Sequence, residues 1–541
     1  MKKLYFNGNV VMVDKNETVS EAVLVENGNI IAVGTNDELL VMACDETEKI
    51  DLQGNTMLPG FIDPHGHITA IAQTLMIVNL SECNSKEEFM EALRDKMKNN
   101  PPKEGEWLIG FGYDNTRFEG EEHPTKFDLD SITSEIPMFI SHASGHIAVG
   151  NSKGLELMGY VGDDYRVPEG GVVRTVSPDS KEPNGVLEET ACLDPEVKKA
   201  IPVPGFETLL GCLRKAQEIY ASFGITTCQD ASIDKGMNGL LMGAAQANAL
   251  IMDIVGFAVQ QVTFDLLKDE GVPTREYFNH YKLLGGKTWL DGSPQGKTAW
   301  LTKPYHEVPA GESADYCGYG TQEDKGVVEY FKGCIERNLQ VNVHTNGDAA
   351  GDQFLRCYKK ALEETGNKTD LRPVMVHAQT VREDQLDEMK ELGVIPTFFL
   401  DHIWFWGDYH YSSVFGPERS QTLSPAKWAL DRGMNFTLHQ DPPVKLPNMV
   451  LAIHNAVNRK TQSGRVLGED LTIPVMEAIK GVTINGAYQY FEEDIKGSIE
   501  VGKIADFVIL DKNPLEVSKD DLLNIKVLET IKGGNTIFKA Q

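Results

Sequence analysis

Three features of the 541-residue chain predict an α/β fold. Eight short apolar segments read as fully buried parallel strands. Helical patterns follow most of them. The distance between successive segments fits one strand–helix unit. The segments are Gly60–His67, Gly224–Asp230, Ile251–Val259, Tyr281–Asp291, Leu339–His344, Val374–His377, Val394–Leu400 and Asn435–Asp441. One strand–helix unit separates His344 from His377. About two separate His377 from Asp441, with Val394–Leu400 between them. Eight parallel strands at this spacing argue for a (β/α)8 TIM barrel over residues 58–489. An open doubly wound sheet is the second choice. It is weakened because no G-x-G-x-x-G follows an early strand.

Both ends of the chain are β-rich. Leu4–Phe6, Val10–Val13, Ala22–Val25 and Ile30–Val33 alternate with turn signals at Asn7-Gly8, Asn27-Gly28 and Gly54-Asn55. Gly497–Asp511 and Val527–Phe538 have the same character. Residues 1–57 and 490–541 are therefore expected to meet in one small β-sandwich. The stretch from about 70 to 205 is too long for a loop. It carries its own apolar pieces, such as Pro137–His142, and reads as an insertion after barrel strand one, a lid on the loop side.

Asp and Glu number 80 against 51 Lys and Arg, a formal charge of −29, while 41% hydrophobic and 24% charged residues are ordinary for a soluble globular protein. So acidic a surface repels nucleic acid and anionic membranes. The eight cysteines are scattered, with no C-x-x-C, which suits reduced thiols in the cytoplasm. The start, Met1-Lys-Lys-Leu-Tyr-Phe, fails as a signal peptide at Asn7, Gly8 and Asn9. No stretch reads as a membrane span.

The polar residues at the C-terminal strand ends carry the chemistry, because a barrel of this type places its site there. Leu58-Pro-Gly-Phe-Ile-Asp-Pro-His65-Gly-His67 ends in two histidines spaced by one, which alternation puts on one face. Strand four carries Lys287, strand five ends in His344, strand six in His377 and strand eight in Asp441. Taken singly, each is an ordinary polar strand end. Six on five strands of one barrel point to a metal site, since His and Asp suit a borderline cation such as Zn²⁺.

These residues, with Gly224-Ile-Thr-Thr, Asp291-Gly-Ser293, Pro443-Val444 and Gly502-Lys-Ile-Ala-Asp506, resemble the amidohydrolase superfamily of metal-dependent hydrolases. More narrowly, they resemble its amidohydrolase-3 branch of N-substituted formamide deformylase-like enzymes. The resemblance spans essentially the whole chain. It implies two divalent ions, zinc foremost. His65, His67 and Asp441 would hold one ion, and His344 and His377 the other. Lys287, carboxylated to a carbamate, would bridge them. It also implies hydrolysis of a C–N bond in an amide-like small molecule by a metal-activated hydroxide, with Asp441 as the catalytic proton acceptor, and it is compatible with a homodimer.

Two further residues are candidate substrate contacts. His146, in Ser141-His142-Ala-Ser-Gly-His146, matches a segment that in this branch reaches the substrate, or is a hydrogen-bonded loop histidine. Trp404, in Trp404-Phe-Trp406, is a pocket wall after strand seven or packing under a loop. His439 stands where the resemblance leads one to expect glycine; a partner of the ligands or a core histidine fits it better than an extra ligand. A mononuclear deaminase on the same fold is the alternative activity. The His344-Thr-Asn-Gly-Asp348 segment lacks the glutamate such enzymes place there, and Lys287 would have no purpose. A catalytically inactive binding relative would be expected to lose ligands first, and all six are present.

Overall fold

The computed structural model describes residues 2–144, 147–162, 164–169, 171–193, 197, 199–201, 205–267, 275–309 and 311–541. The chain divides into two compact units, Met1–Thr69 with Arg214–Gln541, and Ala70–Leu213.

The larger unit contains an eight-stranded parallel sheet in which every strand pairs with its neighbours in chain order. The strands are Phe61–Asp63, Ile225–Ile233, Asp253–Val259, Tyr281–Trp289, Gln340–Thr345, Val374–His377, Ile395–Phe398 and Thr437–Leu438. Between the first and the last, His67 donates its backbone N–H to the Pro442 carbonyl at 2.9 Å, drawing together the segments that follow them. This is a TIM barrel. Its strands are buried on both faces because helices cover the outside and side chains fill the inside. Strand four carries Gly285 for a steric reason: a Cβ there would sit 1.9 Å from the Gln340 carbonyl oxygen of strand five.

The first and last strands are shorter than their apolar runs predict. After Phe61–Asp63, Pro64 has no N–H to give a ladder, and the Asp63 side chain accepts the His65 N–H at 3.3 Å to start a bend. Thr437–Leu438 stops before Asp441, whose φ of 52° cannot continue a strand and which precedes two prolines.

The β-sandwich joins the two ends of the chain. One sheet has the order Asn29–Gly34, Ala22–Glu26, Lys2–Phe6, Glu48–Asp51. The other has six strands, and in it C-terminal Phe507–Leu510 pairs antiparallel with N-terminal Thr56–Pro59. Leu58 and Pro59 thus belong to the sandwich, and the chain enters the barrel one residue later. Gly60 makes that crossing possible, since a Cβ would lie 2.4 Å from the Thr226 side chain. Tyr5, Val23, Met57, Phe507 and Ile531 fill the space between the sheets.

A buried charge cluster pins the sandwich to the barrel. Asp253, at the start of strand three, receives Lys496 and, at 2.5 Å, Lys532 of the sandwich, while His280 lies 2.6 Å from its other oxygen. Lys532 also meets Asp506 at 2.7 Å, and Glu492 meets Lys282 at 2.6 Å and Lys496 at 3.1 Å. Three carboxylates thus balance three lysines. Burial opposes charge on Asp253, but Lys496 and Lys532 outweigh it and hold the carboxyl well below the usual range. Burial likewise opposes charge on Glu492, and Lys496 and Lys282 hold it low. Lys496 is held above an ordinary lysine by Asp253 and Glu492, against its burial.

Asp253→Asn leaves two buried ammonium groups short of a counter-charge and is expected to cost about 3–5 kcal/mol. The pH dependence follows from the signs. The carboxylates are depressed in the fold, so their contribution is complete above unfolded values of about 4 and is lost as the pH falls further. Lys496 is raised, so its contribution is complete below about 10 and is lost above it. Thermal midpoints of wild type and Asp253→Asn across pH check this: the gap between them should close on acidification. A constant gap would show that the cluster does not titrate with folding.

The smaller unit holds a six-stranded mixed sheet, ordered Gly171–Thr175, Pro183–Glu189, Ile147–Gly150, Met138–His142, Leu108–Tyr113, Ile77–Asn79. The helix Lys86–Asn99 begins at Ser85, whose hydroxyl accepts the Glu88 N–H, and buries Phe89 and Leu93 against Leu108 and Ile140. Among the described residues no helix is long and apolar enough to cross a membrane.

Candidate metal centre

His65 and His67 lie just past the end of strand one, yet their rings converge, with centroids 5.4 Å apart. Across the barrel seam, Asp441 Oδ1 lies 3.5 Å from His65 Nε2 and 3.2 Å from His67 Nε2. The three donor atoms fall within 4.8 Å of one another. Lys287, on strand four, brings Nζ to 3.3 Å from His65 Nε2. From strands five and six, His344 Nδ1 and His377 Nε2 face each other at 3.1 Å. Asp441 Oδ2 is 3.9 Å from His377 Nε2, so this carboxylate touches both groups of histidines.

The arrangement fits cations. A tetrahedral ion with donor bonds of about 2.0–2.1 Å holds its donors roughly 3.3 Å apart. Four of the separations, 3.1–3.5 Å, lie close to that value. The proton positions agree. His344 Nε2 lies 3.2 Å from the Gly292 carbonyl and 3.0 Å from the Asn346 amide nitrogen, which itself donates to that carbonyl at 3.0 Å; a proton on Nε2 bonds the carbonyl and leaves Nδ1 bare. Gln229 Oε1 lies 2.7 Å from His65 Nδ1 and likewise leaves Nε2 bare. Gln229 is fixed in turn by Tyr490, whose hydroxyl lies 3.2 Å from the Gln229 amide nitrogen. Bare lone pairs aimed at one another in a dry interior repel unless a cation sits among them.

Burial sets the charges. It pushes His65 and His377 well below the ordinary histidine value, and His344 to about 4, with Lys287 adding to the effect at His65 and His344. The imidazoles are therefore neutral, as ligands must be. Burial brings Lys287 to about 7, against the pull of Asp441. Burial opposes charge on Asp441, and the hydrogen bond from His67 acts against it, holding the carboxyl below the usual range. Two of the candidate ligands occupy the left-handed backbone region, His377 at φ 75° and Asp441 at φ 52°. Such conformations cost about 1–3 kcal/mol each and gather at functional sites.

All six candidate ligands thus meet in one place. His146 lies outside the described residues. Trp404 packs edge-on against His454, at 5.4 Å between centroids. Trp406 is better placed as a wall: it lies 5.9 Å from His402 and 6.2 Å from Phe399, and both of those rings neighbour His377. Sequence reasoning misses Gln229, His402 and the anchoring role of Asp291. Asp291 accepts the backbone N–H groups of Asn346, Gly347 and Trp300 at 3.0, 2.7 and 3.0 Å, tying the loops after strands four and five together. A glutamine within a predicted buried strand is the one signal in the sequence for Gln229.

A TIM barrel with histidines and an aspartate gathered at its C-terminal strand ends, and with a β-sandwich made from both chain ends, has the form of a metal-dependent hydrolase. The chain belongs to the amidohydrolase family, whose sequence profile matches residues 48–538. It is 26% identical to the N-substituted formamide deformylase of Arthrobacter pascens, over 98% of this chain and 97% of that protein. It is 27% identical to LONG AFTER FAR-RED 3 of Arabidopsis thaliana, over 99% of this chain and 91% of that protein. The structure of a metal-dependent hydrolase from Pyrococcus horikoshii superposes with a TM-score of 0.74 at 25% identity, covering 96% of this chain and 99% of that one.

Proposed function

We propose that this protein hydrolyses a C–N bond of an amide-like small molecule, giving a carboxylic acid and an amine, with two divalent ions. The observation that carries the reading is the pair of donor sets, one of His65, His67 and Asp441 and the other of His344 and His377, with buried Lys287 beside both. In this reading the first set would hold one ion and the second set another, and a carbamate formed on Lys287 would supply oxygen donors to both. An ammonium cannot ligate a cation. A lysine brought to about 7 has the neutral amine whose lone pair attacks CO₂; a proton is released, and the carbamate offers two oxygens that share one negative charge. Divalent ions, zinc foremost, would supply Lewis acidity: they polarise a carbonyl and bring the pKa of water to about 7.

The chain's own groups do the rest. Asp441, in reach of both donor sets, takes a proton from the attacking water at Oδ2 and returns it to the leaving nitrogen. Gln229 and the Gly292 carbonyl hold His65 and His344 in orientation. Phe399, His402 and Trp406 form an apolar wall suited to the substituent on the amide nitrogen. N-substituted formamides are the first substrates to try, because a relative of matching length is named for them.

Protein purified without chelator should contain two divalent ions per chain and release formate and amine from such substrates. Chelation should stop the release, and added Zn²⁺ should restore it. Ammonia released from an aminated ring, with one ion bound, would replace this reading with the deaminase one.

A further inference from the structure

We infer that His439, backed by Thr397, is a positioning residue that fixes the tautomer of His377 so that the bare Nε2 of His377 faces the ion-binding space. The inference rests on the metal-dependent reading proposed above.

His377 Nδ1 lies 3.1 Å from His439 Nε2, and His439 Nδ1 lies 3.0 Å from Thr397 Oγ1. Two facing ring nitrogens share a single proton, so the tautomer of one ring dictates that of the other. When His439 carries its proton on Nδ1 and donates it to the threonine hydroxyl, its Nε2 accepts. His377 must then donate from Nδ1, and its Nε2 is left with a lone pair. The opposite assignment would put a proton on His377 Nε2, pointing at His344 Nδ1 at 3.1 Å, and no lone pair of His377 would remain for an ion. The threonine hydroxyl accepts in the first assignment and can donate in the second, so it supports the relay in either, and the ion's need for the His377 Nε2 lone pair selects the first.

The other two oriented ligands follow the same pattern by simpler means. His65 uses the Gln229 amide oxygen and His344 the Gly292 carbonyl, neither of which needs a tautomer of its own. His377 alone relies on a second imidazole, and so a third group is required behind it. Packing holds that imidazole in plane: His439 is 1% exposed and stacks on Phe399 at 5.3 Å with 22° between the rings. The relay crosses three adjacent barrel strands, from Thr397 on strand seven through His439 after strand eight to His377 at the end of strand six.

The test is a metal titration of the full-length protein stripped of ions. Zn²⁺ is added in competition with a chromogenic chelator, and the number of ions and the affinity of each are read. Thermal midpoints monitor folding. Wild type is expected to bind two ions. His439→Leu, which keeps bulk but cannot accept, should weaken one of them by about 10–100-fold and spare the other. His439→Gln should restore most of the loss, because its amide oxygen accepts from His377 Nδ1. Thr397→Val should fall between. A folded His439→Leu that titrates like wild type, or a folded His439→Gln as weak as the leucine variant, overturns the inference while leaving the metal reading in place. Wild type that binds no ion defeats the metal reading and this inference with it.

Discussion

Asp441→Asn is expected to lose turnover by roughly 10²–10⁴-fold, about 3–5 kcal/mol of barrier, while keeping most of its bound metal. The amide oxygen of asparagine is close in shape to the carboxylate oxygen that lies 3.2 Å from His67 Nε2 and 3.5 Å from His65 Nε2, so it can still serve as a donor. What it cannot do is accept a proton. The variant therefore separates holding an ion from moving a proton, two tasks that one side chain combines here. The loss of a negative charge weakens ion binding as well, so turnover should be measured with Zn²⁺ in excess and metal content recorded beside it. Turnover within a few-fold of wild type, with metal retained, would remove Asp441 from the proton-transfer role.

Much of this site is legible in the amino-acid sequence. The two histidines of His65-Gly-His67 meet at one site, but strand alternation is not the reason. The strand ends at Asp63, and it is the bend set by Pro64, together with the bond from the His67 N–H to the Pro442 carbonyl, that brings the rings together. His344 and His377 are legible because each closes an apolar run of parallel-strand type. Asp441 is legible as a polar residue at the end of such a run, but its left-handed backbone is not, since φ depends on the loop being held across the seam. Groups that act through other groups are harder to see. Gln229, Thr397 and the Gly292 carbonyl contact their histidines across strands far apart in sequence, and pairing a particular acceptor with a particular nitrogen needs the folded geometry. The aromatic wall shows the same limit. Trp404 and Trp406 differ by two residues on one helix, a rotation of about 200° at 3.6 residues per turn, so they lie nearly opposite each other and only contacts can say which faces the histidines. Contacts place Trp404 on His454 and Trp406 beside His402.

Lys287→Ala should reduce the two ions per chain to one or none and abolish hydrolysis. A buried lysine with no role costs a protein stability, because burial penalises its charge. Lys287 is 1% exposed, and its Nζ lies 3.3 Å from His65 Nε2, which is no counter-charge. As an ammonium among ligand nitrogens it would repel the very cations that the histidines attract. As a carbamate it reverses sign and joins both donor sets, which resolves the conflict between its burial and its surroundings. The reading makes a second expectation that a simple structural lysine would not meet. Reloading stripped protein with Zn²⁺ should be slower and less complete in buffer freed of CO₂, and added bicarbonate should restore it in wild type but not in Lys287→Ala. Carbamate formation adds the mass of one CO₂ and is lost in acid, so a gentle mass measurement under native conditions gives an independent readout. If Lys287→Ala keeps two ions at wild-type affinity, and bicarbonate has no effect on either protein, the lysine is not a ligand and the two ions must be bridged by other groups.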